Sequence, residues 1–452
     1  MKRKAIQSLI DWKQSTGRKP SLFQGARQVG KTWLLKEFGR QYFDNVAYIN
    51  LDKNEAAQHI FDHDYSIERI VMSLQLHCGQ NIVPEKTLII LDEIQEAPRA
   101  VTCLKYFQED APQYYVASAG SYLRVASLQG TGFPVGKVDT INLHPMSYLE
   151  FLEALGKERF AELLEKRDWT TASVFRETFI EYLKYYYIVG GMPEAVASFA
   201  ADRDFRKVRM IQKGLLRDFE RDFGKHTPSD IVSDIRLIWN SVPSQLAKEN
   251  KKFILSKLEK HARMDDLAPA IQWLCNAGLL YRVPRISKPA MPLSAYTEEN
   301  IFKLFSLDVG LLSAQSDLDP RSILEGNRVL TEFKGALTEQ YVHQQLLAET
   351  DISPFYWANG SNEIDYLFQH GMGIVPLEVK AETNLKSRSL MSFCRKFKIP
   401  FAIRISMIDH RTDLTDTLPN RRNDDAGDFK FMLDNLPLYA ISQIETICAQ
   451  NG

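Results

Sequence analysis

Three kinds of hydrophobic pattern follow one another along the chain. In the first third, short runs that are apolar at nearly every position recur: "SLFQ" before residue 25, Leu88 to Leu91 in "KTLIILDEIQ", and "YYVASAG" ending at Gly120. Strands so continuously apolar are buried on both faces, as in a parallel sheet. Between the first two lies a helix with Trp33, Leu34, Leu35 and Phe38 at helical spacing. The pattern predicts an α/β fold with a parallel sheet in this region.

The middle of the chain reads as helical. "TFIEYLKYYYIVGGMPEAVASF" is an aromatic-rich helix broken by Gly190 and Gly191, which permit a tight reversal, and restarted by Pro193. Tyr185, Tyr186 and Tyr187 are expected to pack a domain interface rather than to meet a substrate. From Pro243 onward the order is helix, helix, helix, strand pair, which suggests a winged helix. In the last third, "EFKGALTEQYVHQQLLAE" is helical, and "FYWAN", "EIDYLFQ" and "IVPLEVKA" are short strands. A basic helix, "LKSRSLMSFCRKFK", and the strand "FAIRIS" complete the order helix, three strands, helix, strand. Boundaries are expected near residues 145, 228 and 325, dividing the chain into 1–145, 146–228, 229–325 and 326–452.

Size and composition support several domains. A chain of 452 residues exceeds what one hydrophobic core organises, and 44% apolar residues is ordinary for a folded protein. Lys plus Arg (56) nearly cancels Asp plus Glu (57), so any polyanion site must be a local patch. Five scattered cysteines, an odd number, speak against a disulfide framework or a metal knuckle and fit a reducing cytoplasm. "MKRKAIQSLIDWKQ" is basic and amphipathic without the apolar stretch of a signal peptide, and no later run reaches bilayer length, so no membrane partner is expected.

The sharpest chemistry lies at the end of the first strand. Gly25-Ala26-Arg27-Gln28-Val29-Gly30-Lys31-Thr32 is a full G-x-x-x-x-G-K-T, the Walker A phosphate loop. Its glycines let successive backbone amides turn inward around phosphate oxygens at a helix N-terminus. Lys31 is expected to reach the β and γ phosphates of ATP, and Thr32 to offer its hydroxyl to Mg²⁺. The second apolar strand supplies the other half, Walker B: Asp92 to hold Mg²⁺ through water, and Glu93 to orient and polarise the attacking water. Ser118 and Ser121, at the end of the third strand, are candidates for sensing the γ phosphate.

Together, "RKPSLFQGARQVGKTWLLKEFG", "LDEIQEAP" with "CLKYF", "GKVDTINLHPMSYLEF" and "YYIVGGMPEAV" resemble the AAA-type bacterial and archaeal ATPases that carry a characteristic C-terminal domain of unknown function. The resemblance runs the length of the chain. It implies an AAA-type P-loop ATPase core over 1–145, a helical lid over 146–228, a winged-helix-like module over 229–325 and a small α/β C-terminal domain over 326–452. It also implies a homo-oligomer as a candidate state, since such relatives commonly build the active site between subunits. The chain departs from the family pattern twice. Ala119-Gly120-Ser121 stands where Thr-Gly-Ser is usual, and Gly136-Lys137 stands where Gly-Arg is usual, leaving Lys137 as a non-forked cation there.

The C-terminal residues raise a second question. Glu378 and Lys380 share one strand face, and pairing of their strand with the preceding one brings Asp365 near them. Glu339, from the helix before, can complete the set. Two carboxylates can hold a divalent cation, with Lys380 aligning water or stabilising charge on phosphorus. This pattern is similar to the PD-(D/E)XK restriction-endonuclease-like core. A salt-bridged surface, with Lys380 neutralising two carboxylates, is the competing reading. Nucleic acid is therefore a candidate partner. Lys248, Lys251, Lys252, Lys257, Lys260 and Arg263, and the helix bearing Lys386, Arg388, Arg395, Lys396 and Lys398, are candidate contacts, although solvated helical faces explain both groups as well. The expectation is an ATP-binding, Mg²⁺-dependent ATPase whose nucleotide state gates a C-terminal domain that acts on nucleic acid, a nuclease in the strongest form. The alternative is a switch whose C-terminal domain binds a partner without cleavage.

Overall fold

The computed structural model describes residues 2–121, 133–225, 230–247, 252–254, 264–325, 331–381, 387–417 and 429–451. Of the expected basic clusters, Lys248, Lys251, Lys257, Lys260, Arg263 and Lys386 lie outside the described residues. The chain forms two compact units, Met1–His144 with Asn276–Leu279, and Pro145–Cys275 with Leu280–Gly452.

The first unit is built on strands β1 (Ser21–Gly25), β2 (Asn45–Asn50), β3 (Thr87–Asp92), β4 (Tyr115–Ser121) and β5 (Asp139–Asn142). They lie in the order β2-β3-β4-β1-β5, and every pair is parallel. Parallel neighbours require crossovers, here supplied by helices such as Lys31–Tyr42, Ile67–Cys78 and Pro98–Asp110. Every residue of β3 is buried, and Ile89, Leu91 and Ile49 join Leu74 and Phe107 of flanking helices in one core. The chain leaves β1 for the far edge of the sheet and later returns to both sides of it. The carboxyl end of β1 thus opens at the crevice where α/β sheets take ligands.

The second unit begins with helices, among them Tyr148–Ala154, Arg176–Val189, Pro193–Asp202 and Phe205–Lys225. As the Gly-Gly-x-Pro spacing predicts, the helix ending at Val189 stops at Gly190, whose φ is 73°, and Pro193 opens the next one. A mixed sheet follows, of β6 (Leu280–Ile286), β7 (Thr297–Ser306), β8 (Phe355–Asn359), β9 (Asn362–His370), β10 (Gly373–Val379), β11 (Phe401–Ser406), β12 (Arg411–Thr417) and β13 (Phe429–Pro437). Its order is β12-β13-β11-β10-β9-β8-β6-β7. The helix, three strands, helix and strand read from the sequence are helix Thr331–Glu349, β8, β9, β10, helix Arg388–Phe397 and β11. Two features differ. The antiparallel pair β6 and β7 continues this sheet, with Arg285 of β6 opposite Tyr356 of β8, instead of standing apart as a wing. Pro243 lies inside helix Val232–Leu246 rather than at the start of one.

A buried polar knot ties this unit together. Asp308, wholly buried, accepts hydrogen bonds from the Gly191 amide at 2.6 Å, the Leu311 amide at 2.9 Å and Gln344 Nε2 at 2.8 Å. Burial pushes its carboxyl up, and these donors oppose that shift. A Cβ at Gly190 would collide with the Asp308 carboxylate, which is why glycine stands there. The Tyr186 hydroxyl donates to the Met146 carbonyl and receives Gln344 Nε2 at 2.9 Å. Tyr186 and Tyr187 pack on Tyr341 of helix Thr331–Glu349, inside one compact unit, and Tyr185 packs on Phe199 and Phe205.

Candidate nucleotide site

β1 ends at Gly25, and the next helix begins at Lys31. The intervening loop bends through left-handed conformations at Gln28 (φ 66°) and Gly30 (φ 95°), the kind of backbone from which anion-binding nests are built. Gly25 has no room for a side chain, because a Cβ would strike the Leu143 carbonyl oxygen. Ala26 and Val29 face inward and are buried, anchoring the loop from beneath. Arg27 stands near enough to Lys31 to disfavour its charge.

Lys31 is 8% exposed, and its ammonium donates to the carbonyls of Gly25 and Ala26, both at 2.9 Å. Burial pulls its pKa down to about 8, while the Glu93 and Asp92 carboxylates pull the other way. Thr32 Oγ1 donates to Asp92 Oδ2 at 2.8 Å, so the two halves of the motif meet across 60 residues of sequence. Asp92 closes β3 and is 4% exposed; its Oδ1 accepts the Glu93 amide at 3.1 Å. Glu93 follows at the strand's carboxyl end with φ 52°, and Gln95 Nε2 donates to its carboxylate. Ser121 stands opposite Gly25 in the β4–β1 register, beside the loop. The Ser118 hydroxyl donates to the Ser21 carbonyl at 2.9 Å inside the sheet. Lys137 pairs with Glu109 at 2.9 Å, and this bond holds the Glu109 carboxyl below its usual range.

Two residues went unread in the sequence. The Tyr48 hydroxyl donates at 2.9 Å to the same Asp92 Oδ2 that Thr32 holds. Burial and the Asp92 carboxylate push this phenol's pKa up, so it remains a proton donor. The Lys36 ammonium lies 3.5 Å from the centre of the Tyr48 ring. Gln95, which holds Glu93, is the other. Tyr48 gave a faint signal as the polar-tipped member of an otherwise ordinary strand; Gln95 gave none.

The donors present fit Mg²⁺: a hydroxyl and a carboxylate oxygen converge at the mouth of the loop, oxygen ligands of the kind that ion takes.

In the second unit Glu339 and the pair Glu378–Lys380 belong to separate salt bridges, while Asp365 bonds the backbone of Val379, the residue between Glu378 and Lys380. Lys303 of β7, fully buried, lies 2.6 Å from Glu363 and 3.4 Å from Glu339. Burial pulls its ammonium down, but the carboxylates of Glu339, Glu363 and Asp365 outweigh it and raise the pKa. Asp365 Oδ2 accepts the Val379 amide at 2.7 Å, completing the β9–β10 ladder where backbone pairing stops. Glu378 is held by Lys380 at 3.0 Å and by Arg404 Nε at 3.7 Å, Arg404 standing opposite it on β11. Among the described residues, no group of three or more His, Cys, Asp or Glu side chains is arranged to hold a metal ion. Lys303 was missed, although a lone lysine in "IFKLFSL" was a legible sign of a buried charge.

Comparison with known proteins bears on both units. A family model described as an AAA domain matches residues 17–152, and models described as domains of unknown function match 180–322 (DUF8612) and 334–421 (DUF4143). Curated proteins gave no match. Among solved structures, the chain is similar to the Walker-type ATPase of Pyrococcus abyssi at 13% identity, covering 69% of this chain and 95% of that one, with a TM-score of 0.44. It is similar to the RuvB Holliday junction branch migration motor of Thermotoga maritima at 14% identity, covering 63% and 90%, with a TM-score of 0.29. A third is the ORC1 protein of Aeropyrum pernix in complex with DNA, at 14% identity, 70% and 91% coverage and a TM-score of 0.28. Likenesses of this degree leave the assignment to the family match and the loop itself. The N-terminal region is an α/β domain with a P-loop, and its residues 17–152 match the AAA domain model. No described helix is long and apolar enough to cross a membrane, and all five cysteines are free.

Proposed function

We propose that the protein binds ATP with Mg²⁺ and hydrolyses it, and that nucleotide state governs what its C-terminal region does. The observation that carries this reading is the 2.8 Å bond between Thr32 and Asp92 at the mouth of a loop whose lysine is buried and aimed inward. The amides of residues 25–32 cradle the phosphates. Lys31 exchanges its two carbonyl partners for phosphate oxygens, moving its charge to where negative charge develops. When bound, Mg²⁺ draws charge from the phosphate oxygens. Thr32 and Asp92 hold its position, Tyr48 steadies Asp92, and Glu93, oriented by Gln95, takes a proton from the attacking water. Ser121 borders the γ phosphate. Lys31→Ala tests the reading: ATP turnover should vanish while the melting temperature stays near that of the parent, and turnover at the parent rate would refute it.

For the output, the arrangement around Lys303 favours binding without cleavage. The Lys303 ammonium is already paired with Glu339 and Glu363 and feels the Asp365 charge, and Glu378 has two cations of its own. The partner is a protein or a nucleic acid. The metal-dependent nuclease reading of Glu339, Asp365, Glu378 and Lys380 is tested with Mg²⁺ or Mn²⁺ on single- and double-stranded DNA and RNA. Cutting that Asp365→Ala and Lys380→Ala both abolish would restore it.

A further inference from the structure

A loop that turns its amides inward must turn carbonyls outward, and each buried carbonyl needs a donor. For four carbonyls in residues 25–32 those donors can be named. Gly25 and Ala26 carbonyls take the Lys31 ammonium, and the Gly30 carbonyl takes the Leu34 amide at 3.0 Å. The Val29 carbonyl takes Arg3, whose Nη1 donates to it at 2.9 Å. The same guanidinium, 7% exposed, donates through Nη2 to the His144 carbonyl at 2.7 Å. His144 belongs to a segment already locked to β1: the Leu143 amide donates to the Gln24 carbonyl at 2.7 Å, and Gly25 lies against the Leu143 carbonyl.

The Val29 carbonyl and the Gly30 amide share one rigid peptide plane. Holding the carbonyl outward therefore aims the Gly30 amide inward, where a phosphate oxygen would sit. The planar, permanently charged guanidinium reaches the two carbonyls with donors in fixed directions, whereas a lysine in its place would bring a point charge on a flexible stem.

We propose that Arg3 is a positioning residue for the phosphate loop. One arm sets the Val29–Gly30 peptide for phosphate, and the other passes a change in that peptide to His144, the last residue before the second unit. Drawing the Gly30 amide onto phosphate tilts the plane, and the shared guanidinium carries the adjustment to Leu143–His144. This rests on the nucleotide reading of the loop, and Arg3 itself never touches the reacting atoms.

The test uses the full chain as parent, Arg3→Ala, Arg3→Lys and Lys31→Ala. Three readouts apply: calorimetric affinity for Mg-ATP, KM against kcat for turnover, and amide exchange of residues 141–144 with and without nucleotide. Arg3→Ala should weaken Mg-ATP binding about tenfold, the effect of losing one hydrogen bond to a charged group. It should raise KM by more than it lowers kcat. Arg3→Lys should recover part of the affinity but, at saturating nucleotide, still lack the protection change at 141–144 seen in the parent. If Arg3→Ala does not fold, Arg3→Lys alone decides through that exchange readout. Parent-like affinity in Arg3→Ala, or a parent-like exchange response in Arg3→Lys, overturns the proposal while leaving the nucleotide site standing. Failure of the parent to bind Mg-ATP overturns both, and Lys31→Ala separates specific from adventitious binding.

Discussion

Lys303 holds Glu363 through a 2.6 Å ion pair in which the lysine side chain has no solvent exposure. Breaking a buried pair from one side leaves charges without compensation, which costs about 3 to 5 kcal/mol. Lys303→Ala should therefore lower stability by that amount in urea titrations. The freed Glu339, Glu363 and Asp365 should then make its melting temperature rise on adding Mn²⁺ or Mg²⁺ without nucleotide. The parent should show no such rise. A parent that melts higher with Mn²⁺ alone would mean that the carboxylates take metal despite the lysine.

Tyr48 adds a neutral hydrogen bond to Asp92, the carboxylate proposed to hold Mg²⁺. Tyr48→Phe removes it with little change in volume. The Mg²⁺ concentration for half-maximal ATP turnover should rise several-fold, to about tenfold at most, while the affinity for ATP without metal stays constant. An unchanged Mg²⁺ dependence would reduce Tyr48 to a packing residue.

Lys31 gives the site a pH signature. In the free protein burial holds its pKa at about 8, against 10.5 for an exposed lysine. Between those values the unfolded chain binds a proton that the folded chain does not, so this group makes stability rise with pH over that window. Nucleotide binding runs the opposite way, because phosphate needs the ammonium. Above pH 8, Mg-ATP must bring a proton with it, and its affinity should fall as pH rises. Calorimetry at pH 9 in two buffers of different ionisation heat should show uptake approaching one proton, and at pH 7 almost none. Equal heats in both buffers at pH 9 would place the lysine's titration elsewhere.

Asp308→Ala would strand three donors, the Gly191 and Leu311 amides and Gln344 Nε2, in a fully buried place. We expect a loss of about 3 kcal/mol or more, with Asp308→Asn losing less because its carbonyl still accepts. A loss under about 1 kcal/mol in Asp308→Ala would show that the knot is not needed to hold the Gly190–Gly191 turn.

The phosphate loop was legible because its chemistry is local: consecutive residues 25–32 create the nest, and the apolar run 88–91 announces the strand that delivers Asp92. Strands β8 to β11 were legible through apolar runs bounded by turns. β12 was not, since "RTDLTDT" is polar at most positions and mostly exposed, and sequence cannot name the partner β13 that makes it a strand. The joining of β6 to β8 was hidden for the same reason, because pairing between residues 285 and 356 leaves no local trace. The carboxylates and Lys380 were legible as a group of charges, but Lys303 was not, because it arrives from a strand 36 residues before Glu339. Arg3 looked like part of a basic terminus until the carbonyls it satisfies were in view.

The most direct test is isothermal calorimetry of Mg-ATP with the purified parent chain and Lys31→Ala, at pH 7. Saturable, one-site binding to the parent, lost or weakened at least a hundredfold in the variant, is the predicted result. Absence of binding to the parent, or equal binding to both, would contradict a triphosphate pocket built by residues 25–32 and Asp92.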